Sequence, residues 1–244
     1  MTIEIVEIIR RSDQGMTRPF ICRGDDGQVY FVKGRDAGRR SLICELIGGH
    51  LGLSLALPVA PFEIVDVPNE LLTIAPGDAA TQLGAGKAFG SRKLPVIELS
   101  TSHLTHVDEV LQRDVLAFDW WIRNADRNLG ETGGNPNLFW NVETEALVVL
   151  DHNQAFDRGF SPRDFTNLHA FREQSEGLFG DWEVQQRYIE RFLAVMTEWQ
   201  TICDTVPPEW WFVDDEHTVP TDFSLADCRQ LLMRCENEGF WNRT

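Results

Sequence analysis

A chain of 244 residues and 27.8 kDa has room for one large domain or for two small lobes that share an interface. At 43% hydrophobic and 25% charged it has the make-up of a folded protein, which excludes a disordered one. Twenty-two basic residues against 38 acidic ones leave a net charge of −16, a sign that repels duplex DNA and anionic membranes and argues against direct grip on either.

In chain order, Ile3-Glu4-Ile5-Val6-Glu7 alternates as a strand does, and its acids are wrong for a signal peptide. Residues 28–33 (Gln-Val-Tyr-Phe-Val-Lys) follow the turn Asp25-Asp26-Gly27 and predict a second clear strand. Spacing then turns helical over 38–51, with Leu42 and Leu46 on one stripe. Residues 57–67 and 71–75 read as extended, and Ala75-Pro76-Gly77-Asp78 breaks the pattern. Past a glycine-containing stretch at 84–90 the chain reads as mainly helical. Val107, Val110, Leu111, Asp114, Phe118 and Trp121 mark one face of a helix. A hairpin is predicted over 138–142 and 146–150, and helices over 182–203 and 224–238, the last capped by Ser224 and closed by Gly239. No apolar run approaches the roughly 18 residues of a spanning helix. The expectation is a single α+β domain of two lobes, a small β-rich lobe over 1–77 and a larger, mainly helical lobe over 78–244.

Five cysteines, at 22, 44, 203, 228 and 235, are odd in number and not closely paired, so a reduced, cytoplasmic setting is expected. Cys228 and Cys235 fall on an apolar helical face and read as core. His103 and His106 have a metal-like spacing without a third ligand, which reads as surface histidines. Trp120-Trp121 and Trp210-Trp211 read as fillers of the helical lobe, with a partner-binding patch as the alternative for the second pair.

Three sets of residues carry chemistry. Lys33 ends an apolar strand in a chain with only three lysines, at 33, 87 and 93. By itself it reads as a strand-end lysine reaching water. Glu45, however, falls on the buried stripe of the next helix, where a carboxylate needs a cationic partner, and Lys33 is a suitable one. A strand lysine held by a helix glutamate is how kinase folds present a cation to nucleotide phosphates. Next, Asn124-Ala125-Asp126-Arg127 leaves the 107–122 helix and leads through a glycine-rich stretch to Asn135-Pro136-Asn137-Leu138. Last, Asp151 emerges from the apolar run Val148-Val149-Leu150. Each alone fits a turn or cap. In order they supply what phosphoryl transfer needs: a lysine for phosphates, an aspartate for the acceptor hydroxyl, and oxygen ligands for Mg²⁺.

These motifs resemble the HipA-like kinase family, distant relatives of protein kinases and phosphatidylinositol kinases. Asn124-Ala125-Asp126-Arg127 is similar to that family's N-x-D-R catalytic loop, and Asn135-Pro136-Asn137-Leu138 to the N-P-N-L of its compact branch. Val149-Leu150-Asp151-His152 resembles its metal-binding strand end, and Ala88-Phe89-Gly90-Ser91 its F-G-S signature between the lobes. The resemblance implies a two-lobed protein-kinase-like fold without the N-terminal accessory subdomain of full-length relatives. It also implies that Lys33 holds ATP phosphates with Glu45 orienting it, that Asp126 is the catalytic base, and that Asn135 and Asp151 hold Mg²⁺. Gly15, Met16 and Thr17, in the 12–17 loop, would cover the phosphates, although a plain hairpin turn fits that loop as well. Ala75 and Gly77 would border adenine at a hinge. The eight residues between Asp126 and Asn135 exceed the family's usual spacing. Pro136 restricts Asn135 to extended backbone, so Asn135 and Asn137 are expected to share one face, with Asn137 anchoring the loop.

The resulting expectation is an ATP- and Mg²⁺-dependent serine/threonine protein kinase acting on a protein of unknown identity. It leaves room for a small protein partner or inhibitor of the toxin–antitoxin kind. A non-catalytic ATP-binding pseudokinase and a small-molecule or lipid kinase are the alternatives.

Overall fold

The opening alternation becomes β1 (Ile3–Arg11), which pairs antiparallel with β2 (Phe20–Gly24), itself paired with β3 (Val29–Lys33). In the computed structural model, which describes residues 2–13, 18–75, 77–130 and 133–243, α1 (Arg39–Ser54) follows. Next come β4 (Phe62–Val67), two short helices, α2 (Asn69–Ile74) and α3 (Ala79–Gln82), and β5 (Gly86–Arg92). The strands close into a barrel in the order β1-β2-β3-β5-β4. The seam is the parallel pair β1–β4, with Ile3 opposite Val65 and Glu4 opposite Asp66. Ile5, Phe20, Cys22, Tyr30, Val32, Val65 and Ala88 fill the interior, and Leu72 and Leu83 from the short helical segments join them. Closure pairs every strand on both sides, which removes the open edges a small sheet would expose.

One expectation about this region is corrected. Residues 71–75 are not a strand: Pro68 opens α2, Glu70 sits in its first turn, and Leu72 packs inward while Ile74 stays exposed. Glu-Leu-Leu favours a helix, and one buried leucine is enough to seat so short an element. The glycine-containing stretch carries β5, a strand paired on both sides, in which Phe89 lies opposite Lys33 and Ile64. Gly90 is required there because a Cβ would meet Val65 Cγ1 at 2.7 Å.

Contacts group the chain into two compact units, Met1–Leu46 with Ala60–Leu94 and Val206–Phe223, and Ile47–Val59 with Pro95–Thr205 and Ser224–Thr244. Residue 77, the expected boundary, falls inside the first. Segment 206–223 also belongs to that unit. Trp210, expected in the helical lobe, is fully buried in the first unit instead and donates its indole N–H to the Lys87 carbonyl at 3.0 Å. Arg35 grips both oxygens of Asp215 at 2.8 Å in the same segment.

The second unit has β6 (Val96–Glu98), α4 (Thr101–Leu104), α5 (Glu109–Ile122), and the small ladder β7 (Asn128–Gly130) with β8 (Gly133–Asn135). The hairpin of β9 (Leu138–Asn141) and β10 (Ala146–Val149) follows as expected, and β6 adds to β9 as a third strand. The remaining helices are α6 (Pro162–Leu168), α7 (Ser175–Phe179), α8 (Trp182–Met196), α9 (Trp199–Cys203) and α10 (Leu225–Met233). Asp108 caps α5 through the Val110 and Leu111 N–H groups, and Ser224 caps α10 through Asp227. Trp121 stacks on Phe192 with ring centres 4.4 Å apart and donates its N–H to the Leu232 carbonyl. All five cysteines are buried free thiols. Among the described residues no helix is long and apolar enough to cross a membrane.

The end of β3 imposes one tight approach. A Cβ on Gly34 would run into the Leu83 carbonyl oxygen, which accepts the Arg35 N–H at 2.8 Å. Gly34→Ala should therefore destabilise the protein by about 1–3 kcal/mol in chemical denaturation. A variant as stable as the parent would show that this carbonyl can move aside freely.

Candidate active site

Lys33 is the last residue of β3, and alternation along that strand buries Tyr30 and Val32 in the barrel. Its Nζ meets Glu45 Oε2 at 2.9 Å, with the lysine side chain 11% and the glutamate 4% exposed. Glu45 lies between Cys44 and Leu46 on the buried part of α1. Both partners are held out of water, so each depends on the other's charge. Beyond the strand, Arg11 donates to Asp36 at 2.6 Å and to Asp78 at 3.1 Å. It thereby links the turn after Lys33 to the turn holding Gly77. Ala75 packs against the barrel cluster, and Gly77 is exposed with φ 71°. Gly15, Met16 and Thr17 lie outside the described residues, and Ser12, at the start of their loop, is buried.

In the second unit the chain leaves α5 through Arg123, whose left-handed backbone (φ 52°) closes the helix. The next residues form the loop that carries Asp126. Asn137 Nδ2 donates to Asp126 Oδ2 at 2.9 Å. Burial pushes the Asp126 carboxyl above its ordinary value, and the nearby Asp151 charge adds to that. Asn137, Arg127 and Asn135 pull the other way. Asp151 follows β10 with φ 60°, a conformation that asparagine and aspartate tolerate better than most residues. One expectation about this loop fails in its reasoning. Asn137 is not extended but left-handed at φ 48°, so Asn135 and Asn137 do not share a face by alternation. The Asn137 amide reaches Asp126 from this turned backbone.

Asp126, Asn135, Asn137 and Asp151 make a donor set of carboxylate and amide oxygens. Asn153 adds a buried amide oxygen that has no hydrogen-bond partner among the described residues, two positions beyond Asp151. Hard oxygen donors of this kind fit Mg²⁺, which keeps several of its own waters and needs only one or two carboxylates. No cluster of three or more His, Cys, Asp or Glu ligands occurs among the described residues.

Sequence reasoning missed the group that holds this loop. Asp119, Arg127 and His169 are buried together, with at most 1% of any of these side chains exposed. Arg127 Nε donates to Asp119 Oδ2 at 2.7 Å, and its terminal nitrogen donates to the Asn137 and Leu150 carbonyls at 2.8 and 2.7 Å. One guanidinium thus joins α5, the Asn135–Asn137 turn and the residue before Asp151. Asn124 Nδ2 donates to the other oxygen of Asp119 at 2.9 Å. The available signal was an aspartate at 119 inside the apolar run of α5, where an acid is buried only with a partner. Burial alone would raise the Asp119 carboxyl, but the Arg127 charge with the His169 and Asn124 hydrogen bonds holds it below its ordinary value. His169 Nδ1 accepts the Phe171 N–H at 3.0 Å, so the ring proton resides on Nε2, facing Asp119 at 3.1 Å. Burial keeps this imidazole neutral, outweighing the pull of Asp119.

Two outcomes follow from these burials. Lys33→Met should lower stability by roughly 3–5 kcal/mol, because a buried carboxylate loses its ion-pair partner. Lys33→Met with Glu45→Gln should recover most of the stability; a double variant as unstable as the single would break the pairing argument. Second, unfolded His169 binds a proton below about pH 6.5 that the folded ring refuses. Stability is therefore complete above that pH and falls as pH falls; His50, also lowered by burial, acts in the same direction. His169→Gln should flatten this acid limb in pH-dependent urea denaturation, and an unchanged slope would contradict it.

The model for the HipA-like kinase family matches residues 5–244. No curated protein matches the chain. Among solved structures, the crystal structure of a Helicobacter pylori proinflammatory kinase, CtkA, is similar with a TM-score of 0.43 and 9% identity over 97% of this chain and 94% of that chain. With the family model covering the barrel, the Asp126 loop and the closing helices alike, the chain belongs to the HipA-like kinase family, and its activity is that of a kinase-type phosphotransferase.

Proposed function

We propose that the protein moves the γ-phosphate of Mg-ATP to a serine or threonine hydroxyl of a protein substrate, the two compact units being the two lobes of a kinase fold. The observation that carries this reading is the setting of Asp126. Its carboxylate is half-buried, raised in basicity by burial and by Asp151, and held by the Asn137 amide. Those are the properties of a group that accepts a hydroxyl proton as the oxygen attacks phosphorus. Lys33, positioned by Glu45, contacts the phosphates and offsets their charge. Asn135 and Asp151 hold Mg²⁺, which neutralises charge on the transferring phosphoryl group. Asn137 acts on the loop rather than on the nucleotide, because its amide bonds Asp126 while its carbonyl accepts from Arg127 and Leu150.

Incubating the purified chain with labelled ATP and a cell lysate tests the reading. Asp126→Asn should reduce label transfer by about 10²–10⁴-fold with a thermal midpoint close to that of the parent. Asn135→Ala should behave the same way, whereas Asn137→Ala should lose stability first. Full transfer by Asp126→Asn would remove the assigned base. A parent chain that binds ATP yet labels no protein would turn the reading toward a pseudokinase or a small-molecule kinase.

A further inference from the structure

The chain is short of cations, and several of its arginines pair with carboxylates: Arg11 with Asp36 and Asp78, Arg35 with Asp215, Arg191 with Asp114. Arg123 and Arg234, in the second unit, differ. Among the described residues no carboxylate lies within ion-pair distance of either, although the protein carries 38 acids. Both line one cavity of about 270 Å³.

Arg234 donates to the carbonyls of Trp120 and Trp121 at 2.6 Å and of Leu231 at 2.8 Å. These carbonyls satisfy its hydrogen bonds while offering only the fractional negative charge of helix ends. Burial, together with the charge of Arg123, brings its pKa down to about 9. The Arg123 guanidinium lies over the face of Phe160, 6.0 Å from the ring centre, and makes no hydrogen bond among the described residues. Asp157 lies next to it in the fold, its N–H on the Arg123 carbonyl, but turns its carboxylate to the Gly159 N–H at 2.8 Å. Asn237 and Asn242 add side-chain amides to the cavity wall, Trp120 and Phe160 add aromatic faces, and no acid lines it. Two like charges stand together without a counterion among the described residues.

We propose that this cavity is an anion site for a phosphoryl group carried on a phosphorylated serine or threonine side chain. A carboxylate would match one guanidinium, whereas a phosphate monoester brings close to two charges and three acceptor oxygens arranged around phosphorus. The amides supply further donors, and the aromatic walls cover the carbon stem. The volume falls just below the roughly 300–1,000 Å³ of small-molecule pockets, which suits the tip of one modified side chain rather than a nucleotide. The proposal does not depend on phosphoryl transfer by this chain.

Calorimetry on the full chain tests it with three probes: a blocked Ala-phosphoThr-Ala tripeptide, the same peptide without phosphate, and inorganic phosphate. The phosphorylated peptide should bind and the unmodified one should not. Arg123→Gln should weaken binding by about ten-fold or more with an unchanged melting curve, since that side chain makes no hydrogen bond. Asn237→Asp, which places a carboxylate in the wall at an exposed position, should weaken it as well. Inorganic phosphate binding as tightly as the peptide would assign the same site to the free ion. Equal binding of both peptides, full binding by Arg123→Gln, or no binding of either phosphate probe would overturn the proposal.

Discussion

The ion pair of Asp119 with Arg127 is the constraint on which the candidate site rests. Both side chains are wholly buried, and removing one partner of such a pair costs about 3–5 kcal/mol. Hydrophobic residues could fill the same space as stably, so the pair is better understood by what it positions. Arg127 is the residue after Asp126, and its terminal nitrogen takes the carbonyls of Asn137 and Leu150. Three segments far apart in sequence therefore converge on one guanidinium, and the carboxylate of Asp126 inherits their rigidity. His169 completes the arrangement as a neutral donor to Asp119, which avoids placing a second positive charge beside Arg127.

The first unit solves the matching problem with a different pair. Its barrel is small, and its interior is apolar apart from the Tyr30 hydroxyl, which reaches Asp26 at 2.7 Å. Lys33 stands at the end of a strand rather than inside the barrel, so its side chain remains 11% exposed while that of Glu45 is almost fully covered. Gly34 follows at once, where the Leu83 carbonyl leaves no space for a side chain. The functional end of β3 is thus set by backbone contact as much as by charge.

Charge distribution unites the two units. With 22 bases for 38 acids, most arginines in the fold act as clamps between segments. Arg11 joins two turns, Arg191 holds Asp114 and the Leu55 carbonyl, and Arg35 ties segment 206–223 to the first unit. In a protein with this surplus of carboxylates, arginines with no acid in ion-pair reach among the described residues are informative, because solvation and repulsion both work against leaving them so.

The amino-acid sequence by itself determined the local elements and the order of the chemistry. Alternation defined β1 and β3, the Glu143-Thr144-Glu145 turn defined the hairpin, and the cap at Ser224 opened its helix, because these signals act over a few residues. The pairing of Lys33 with Glu45 was legible too, since a buried carboxylate on a helix stripe demands a nearby cation. What only the tertiary structure decided involves contacts distant in sequence. Closure of the barrel through a parallel β1–β4 seam, the return of residues 206–223 to the first unit, and the meeting of Arg127 with Asp119, Asn137 and Leu150 follow no local period. The left-handed turn at Asn137 belongs with them. An asparagine tolerates that backbone at modest cost, and hydrogen bonds from Arg127 and Leu150 to its carbonyl select it over the extended form that proline spacing alone suggests.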